Sequence, residues 1–188
     1  MEKELKIGVE NAMNAYKGAD ENGKKMLEAL FGKETFIPKD IRERVKTFED
    51  ACEVLGNDHQ AVVDYFALCD ATASKDIIAY AKLRIIAEAL NEGWKPQFTE
   101  DEYRYYPWYY LYTEEEWAEL DESTKKYGRV LGRSSNHGNA SGGLAYASAA
   151  YESSGSYTSS GSRLAFKTYD LAEYCGKQFI DIWIDFLL

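Results

Sequence analysis

Apolar side chains recur every three to four residues through the first half of the chain, then every second residue in one later stretch, and this change of period divides the sequence. In residues 4–16, Leu5, Val9, Ala12, Met13 and Tyr16 fall on one helical stripe that ends at Lys17 and Gly18. A second helix carries Met26, Leu27, Leu30 and Phe31, with Asp20 as N-cap and Gly32 as its left-handed close. After a turn at Phe36-Ile37-Pro38, Ile41 and Val45 stand four apart on a short helix. Thr47 and Asp50 have capping-box spacing and open a helix over Phe48, Cys52 and Leu55 that stops at Gly56. Residues 61–69 and 75–91 read as two more helices, the second with Ile78, Ala81, Ile85 and Ala89 along one side and Gly93 just past its end.

Trp94-Lys95-Pro96 interrupts the helical period and Phe98 begins an aromatic region. In residues 105–112 an extended strand shows Tyr106, Trp108, Tyr110 and Tyr112 on one face and Tyr105, Pro107, Tyr109 and Leu111 on the other. One of these sets, not both, is expected to face a core. Pro107 has no N–H to give a ladder, so the strand is expected to lie at an edge or to start there. Thr113 and Glu116 repeat the capping-box spacing and open a short acidic helix with Trp117 and Leu120 directed inward.

More than half of residues 133–162 are Ser, Gly or Asn, interrupted by Leu144, Tyr146, Tyr151 and Tyr157, a texture of hairpins. Ser153-Ser-Gly-Ser156 recurs as Ser159-Ser-Gly-Ser162. Residues 163–167 are expected to form a last strand, with Leu164 and Phe166 on one face and Arg163 and Lys167 on the other. Thr168 caps a final helix whose apolar side carries Leu171, Cys175, Phe179, Ile182, Trp183 and Phe186. The expected class is α+β: an N-terminal helical layer, then a small antiparallel sheet of hairpins packed by a C-terminal helix. Residues 1–35 form a helical extension and 36–188 one domain, with helices over 36–93, the sheet over 98–167 and the closing helix over 168–187.

Composition sharpens this picture at two points. Aromatic residues make up 14% of the 188, led by fifteen tyrosines. Net charge is −10, yet from position 123 to 169 six cations (Lys125, Lys126, Arg129, Arg133, Arg163, Lys167) face one acid, Glu152; this segment carries +5 and the remainder −15. Such segregation marks an oriented surface or internal pairing. No apolar run has signal-peptide or membrane-spanning length, so a cytoplasmic protein with no membrane partner is expected. Three scattered cysteines, Cys52, Cys69 and Cys175, read as buried thiols in a reducing compartment.

Candidate chemistry is sparse. Gly138 and Gly143 are not followed by the Lys-Ser or Lys-Thr of a phosphate loop, and no dinucleotide fingerprint or nucleophile elbow occurs. The six acids from Glu114 to Glu122 lack the ligand spacing of a calcium loop and read as a solvated helix face. His59 has no second histidine or cysteine at ligand spacing and reads as a polar turn residue. No metal and no cofactor are expected.

The words Lys46-Thr-Phe-Glu-Asp-Ala-Cys52, Ile86-Ala-Glu-Ala-Leu-Asn-Glu-Gly-Trp-Lys-Pro96, Tyr106-Pro-Trp108, Gly161-Ser-Arg-Leu-Ala-Phe-Lys167 and Leu171-Ala-Glu-Tyr-Cys-Gly-Lys-Gln-Phe179 carry a resemblance. Over residues 40–188 the chain resembles uncharacterised proteins encoded by phages and prophages of Bacteroides and related gut bacteria. The texture of residues 121–160 is similar to the variable hairpins of C-type-lectin-like phage proteins. The resemblance implies a phage-related origin, in the bacterial host cell or associated with a virion, and no particular chemistry.

The first functional reading is a non-enzymatic binding module in which tyrosines and small polar residues contact a protein or a glycan. The second is a single-stranded nucleic-acid-binding protein, with cations on phosphate and rings on bases. The third is an enzyme of unknown reaction. Tyr106, Trp108, Tyr110, Tyr112, Arg129, Arg133, Tyr146, Tyr157, Arg163 and Lys167 are the candidate binding residues. Against these readings stand two simpler ones: the rings form a core, and the cations pair with the acidic helix after Thr113.

Overall fold

A computed structural model describes residues 6–97, 99, 101–130, 143–152 and 162–188. The chain divides into two compact units, Met1–Arg44 and Val45–Leu188.

The first unit holds α1 (Val9–Gly18), α2 (Glu21–Phe31), a 3-10 turn (Lys33–Phe36) and α3 (Ile41–Arg44). Asp20 accepts from the Gly23 amide at 2.8 Å and so caps α2. Its centre is aromatic: Tyr16 stacks on Phe36 at 4.2 Å, and the Tyr16 hydroxyl donates to Glu28 at 2.6 Å. The stripes expected on α1 and α2 are only partly used, because Val9, Met26 and Leu30 are exposed. A unit this short has too little interior to cover two full helical faces. Leu5 lies outside the described residues.

In the second unit, α4 (Phe48–Leu55), α5 (Gln60–Asp70) and α6 (Lys75–Asn91) precede β1 (Arg104–Tyr112), α7 (Glu114–Glu119), α8 (Glu122–Lys126), β2 (Gly128–Val130), β3 (Gly143–Glu152), a 3-10 turn (Ser162–Leu164), α9 (Tyr169–Gln178) and α10 (Ile180–Leu187). Both capping boxes form. Asp50 N–H donates to Thr47 Oγ1 at 3.1 Å while Thr47 N–H donates back to the Asp50 carboxylate at 2.9 Å, and Thr113 and Glu116 do the same on α7. His59 serves α5 as N-cap, its Nδ1 accepting from the Ala61 amide at 3.3 Å.

α6 is the axis of this unit. It is flanked by α4, α5, α9, α10 and the turn at 162–164. Residues well beyond a single stripe are therefore buried, including Ala79, Leu83, Ile86, Ala87 and Leu90 besides Ala81, Ile85 and Ala89. A helix apolar on most sides belongs inside a core.

The sheet is antiparallel in the order β1-β3-β2. β1 lies at its edge, as Pro107 requires. Trp108 stands opposite Ser148 and Tyr109 opposite Tyr146, so Ala147 is an extra residue on β3 and makes a bulge. The C-terminal helices cover one face. Tyr105 meets Tyr169, Pro107 lies under Gly176, and Tyr109 packs edge-on to Tyr146 and against Trp183. Leu144 and Ile180 join them, with Ile184 and Leu188 alongside.

Three expectations need correction here. Residues 163–167 form a 3-10 turn and a single antiparallel bridge, Tyr105 to Phe166, where a strand was expected. Tyr105 and Phe166 exchange both backbone bonds, at 3.0 and 2.9 Å. The next donor on that edge of β1 belongs to position 107, a proline, so the ladder stops after one pair. On its other side the segment is held by a side chain: Asn91 Nδ2 donates to Ala165 O at 2.8 Å and Asn91 Oδ1 accepts from Lys167 N–H at 3.0 Å.

The expected single C-terminal helix is two, broken at Phe179 (φ −110°, ψ 29°). The Tyr109 hydroxyl donates to Gly176 O at 2.9 Å, entering the helical ladder where the break occurs.

The cysteines differ from one another: Cys175 is buried, Cys52 half-buried and Cys69 exposed. Burial pushes the Cys175 thiol from its ordinary value near 9 up to about 12. Burial also raises the Tyr109 and Tyr146 hydroxyls. An acid whose folded value lies above its unfolded value stabilises the fold fully below the unfolded value and loses that contribution as pH rises toward the folded one. Stability is thus expected to decline from about pH 9 upward, measured by urea unfolding across an alkaline series. At pH 8 a thiol reagent is expected to modify Cys69 first and Cys52 slowly, with Cys175 protected until unfolding, read by mass spectrometry.

Candidate binding surface

The uncovered face of the sheet carries the row that alternation assigned to Trp108. Trp108 and Tyr110 are each 53% exposed and lie 5.9 Å apart between ring centroids. Tyr110 leads to Tyr112 at 6.3 Å, and Tyr112 to Trp117 at 6.1 Å, so four rings run in file from the strand to α7. Opposite them on β3 stand small residues: Ser148 by Trp108, Ala145 by Tyr110 and Gly143 by Tyr112. The rings therefore form a ridge beside a low strip.

Trp117 anchors the file. The Thr113 box aims α7 so that this indole lies flat on the β2–β3 pair; a Cβ at Gly128 would come 2.6 Å from Trp117 Cη2, and one at Gly143 would overlap the ring outright. Gly143 is needed for this close approach of ring to backbone. Gly143→Ala is expected to displace Trp117 and cost about 1–3 kcal/mol, checked by denaturant midpoint and loss of near-ultraviolet dichroism.

Charge surrounds the file unevenly. Glu114, Glu115, Glu116, Glu119, Asp121 and Glu122 are all exposed on α7 and the start of α8. The Asp121 carboxyl falls to about 2, first through the Ser123 hydroxyl and then through the Thr124 amide it caps. An acidic rim thus borders the Trp117 end.

The candidate residues do not assemble as one surface. Trp108, Tyr110 and Tyr112 come together on the uncovered face. Tyr106 has the same parity but is 5% exposed, and Arg104 beside it is fully buried, whereas Tyr105, Pro107 and Tyr109 are half-buried and Leu111 is 46% exposed, so neither alternating set faces inward as a whole and the either-or expectation fails. The chain before β1 folds back at that end: Trp94 Nε1 and the Gln97 amide donate to Glu102, and Arg104 donates to Gln97 O.

Tyr146 is 8% exposed and belongs to the core under α9, which removes it from any binding surface. Arg129 is bound to Asp181 at 2.7 Å and Lys167 to Glu92 at 3.1 Å. These cations find acids on α10 and at the end of α6, whereas Lys125 meets Glu122 at 3.6 Å beside the acidic helix. Arg163 is exposed elsewhere on the unit, at a cleft beside Trp94. Arg133, Tyr157 and Phe98, with the repeated Ser-Ser-Gly-Ser words up to residue 161, lie outside the described residues.

Sequence reasoning missed the role of Trp117, whose signal was the pair of glycines at 128 and 143. It also missed the cations Arg84 and Lys95, which follow no local motif. Among the described residues no cluster of metal-ligating side chains and no helix long and apolar enough to cross a membrane occurs. No protein-family model, curated protein or solved structure matches the chain, so its function is argued from this geometry.

Proposed function

We propose that the protein is a non-enzymatic interaction module that holds a protein partner with a basic rim through the Trp108–Tyr110–Tyr112 face. The observation that carries this reading is the pair of large rings left more than half exposed on an edge strand whose other face packs Tyr105, Pro107 and Tyr109 against the C-terminal helices. Side chains of this kind contribute little to folding when they face water, and they are the anchors of protein interfaces. The acidic rim selects a partner of opposite charge and repels phosphate. Two of the cations enlisted for the nucleic-acid reading, Arg129 and Lys167, are already neutralised within the fold. With the resemblance to phage and prophage proteins, the partner is to be sought among host and virion proteins of gut bacteria.

A photo-crosslinking amino acid placed at position 110, and separately at the exposed position 53 on α4, tests the reading in a bacterial host. The account expects a discrete adduct with a basic protein from 110 and none from 53. Equal adducts from both positions, or retention on immobilised glycan or oligonucleotide with no protein adduct, would contradict it.

A further inference from the structure

The second unit also contains a cleft of about 310 Å³ between the end of α6, the turn at 94–96 and the segment around Arg163. Arg84, Glu88, Asn91, Trp94, Lys95 and Arg163 are in its lining, and none of them belongs to the aromatic face. The cleft therefore stands apart from the proposed protein-docking surface.

Its charges are arranged to leave cations available. Glu88 faces His59 at 3.5 Å, and Glu92 nearby holds Lys167. Glu102 is occupied by Trp94 Nε1 at 2.9 Å and by the Gln97 amide. Asn91 is committed to Ala165 and Lys167. Among the described residues, the side chains of Arg84, Lys95 and Arg163 make no ion pair and no hydrogen bond, although Arg84 is half-buried and the chain carries 32 acids. Three positive charges face one carboxylate and the carbonyl end of α6, which counts for roughly half a charge. The local field is positive within a protein of net charge −10.

Two guanidinium forks and an ammonium match the oxygens of a dianion better than a single carboxylate. Trp94, fixed through its N–H by Glu102, offers a preset aromatic wall. The volume lies near the lower end of the small-molecule range, roughly 300–1,000 Å³, enough for one ring and one phosphate. We infer that this cleft binds a phosphate monoester of a planar or apolar group, with the phosphate among Arg84, Lys95 and Arg163 and the organic part against Trp94.

Titration calorimetry of the full chain at low salt with phenyl phosphate, inorganic phosphate and phenol tests the inference. Phenyl phosphate is expected to bind most tightly, inorganic phosphate more weakly, and phenol not measurably. Arg163→Gln combined with Lys95→Gln, both at exposed positions, is expected to weaken phenyl phosphate at least about tenfold with an unchanged melting temperature. Trp94→Leu should reduce phenyl phosphate to the level of inorganic phosphate, while Trp108→Ala leaves binding intact. No heat from phenyl phosphate with the wild-type chain, undiminished binding in the folded double variant, or equal binding of phenol overturns it.

Discussion

Phe166→Ala is expected to cost about 3–5 kcal/mol, the range for removing a fully buried aromatic ring from a packed core. Phe166 is completely inaccessible, and among the described residues its backbone makes the bridge by which the segment before α9 meets the edge of β1. Truncation leaves a cavity beside the 3-10 turn that α6 also meets. The segment that carries this ring thus joins α6 to the edge of the sheet. Urea unfolding should show a large fall in midpoint with little change in slope, because the same surface is still exposed on unfolding. A loss under about 1 kcal/mol would mean that the junction is held by something other than this ring.

The second large effect is expected at the opposite side of the same segment. Asn91→Leu keeps the approximate size of the side chain but removes a donor and an acceptor from a position only 5% exposed. The Ala165 carbonyl and the Lys167 amide then lose their partners. Each buried backbone group left without one costs about 1–3 kcal/mol, so a total loss of about 2–6 kcal/mol is expected. Amide exchange gives the specific readout. Protection of the Lys167 amide should collapse in Asn91→Leu while that of the central α6 amides persists under native conditions. Uniform loss across both would locate the effect in global stability alone.

Much of this architecture was legible because local chemistry and tertiary structure agree. Thr47 with Asp50 and Thr113 with Glu116 specify helix starts through reciprocal bonds that need no distant partner. Pro107 limited the strand to an edge or to a start there because a missing N–H is a local fact, and β1, which begins at Arg104, takes the edge. What sequence did not disclose depends on contacts far apart along the chain. The break at Phe179 comes from a hydroxyl on Tyr109, and no glycine–serine pair or proline announces it. Residues 163–167 have the composition of a strand, but their outer edge meets an amide side chain from α6.

The candidate surface divides in the same way. Alternation gave Trp108, Tyr110 and Tyr112 as one row, and the structure assigns that row to the uncovered face. The burial of Tyr106, which lies near Trp183, Phe186 and Leu187 of α10, is a long-range packing fact that periodicity does not encode. Charge counting found the basic segment between 123 and 169, yet Arg129, Lys167 and Lys125 pair with Asp181, Glu92 and Glu122, and Arg163 lines the cleft beside Trp94. Arg84 and Lys95, which do converge on a cleft, lie outside that segment. A spatial cluster assembled from α6 and two loops leaves no linear trace.

The central claim is that the exposed rings are kept for association and not for folding. Its most direct test is the affinity of the protein crosslinked from position 110 for the wild-type chain and for the Trp108→Ala, Tyr110→Ala double variant, measured by calorimetry beside their urea midpoints. The account predicts a stability change within about 0.5 kcal/mol per site. It also predicts a fall in affinity of at least about thirtyfold, as for interface anchors. Unchanged affinity, or a loss of affinity matched by a loss of folding, would contradict it.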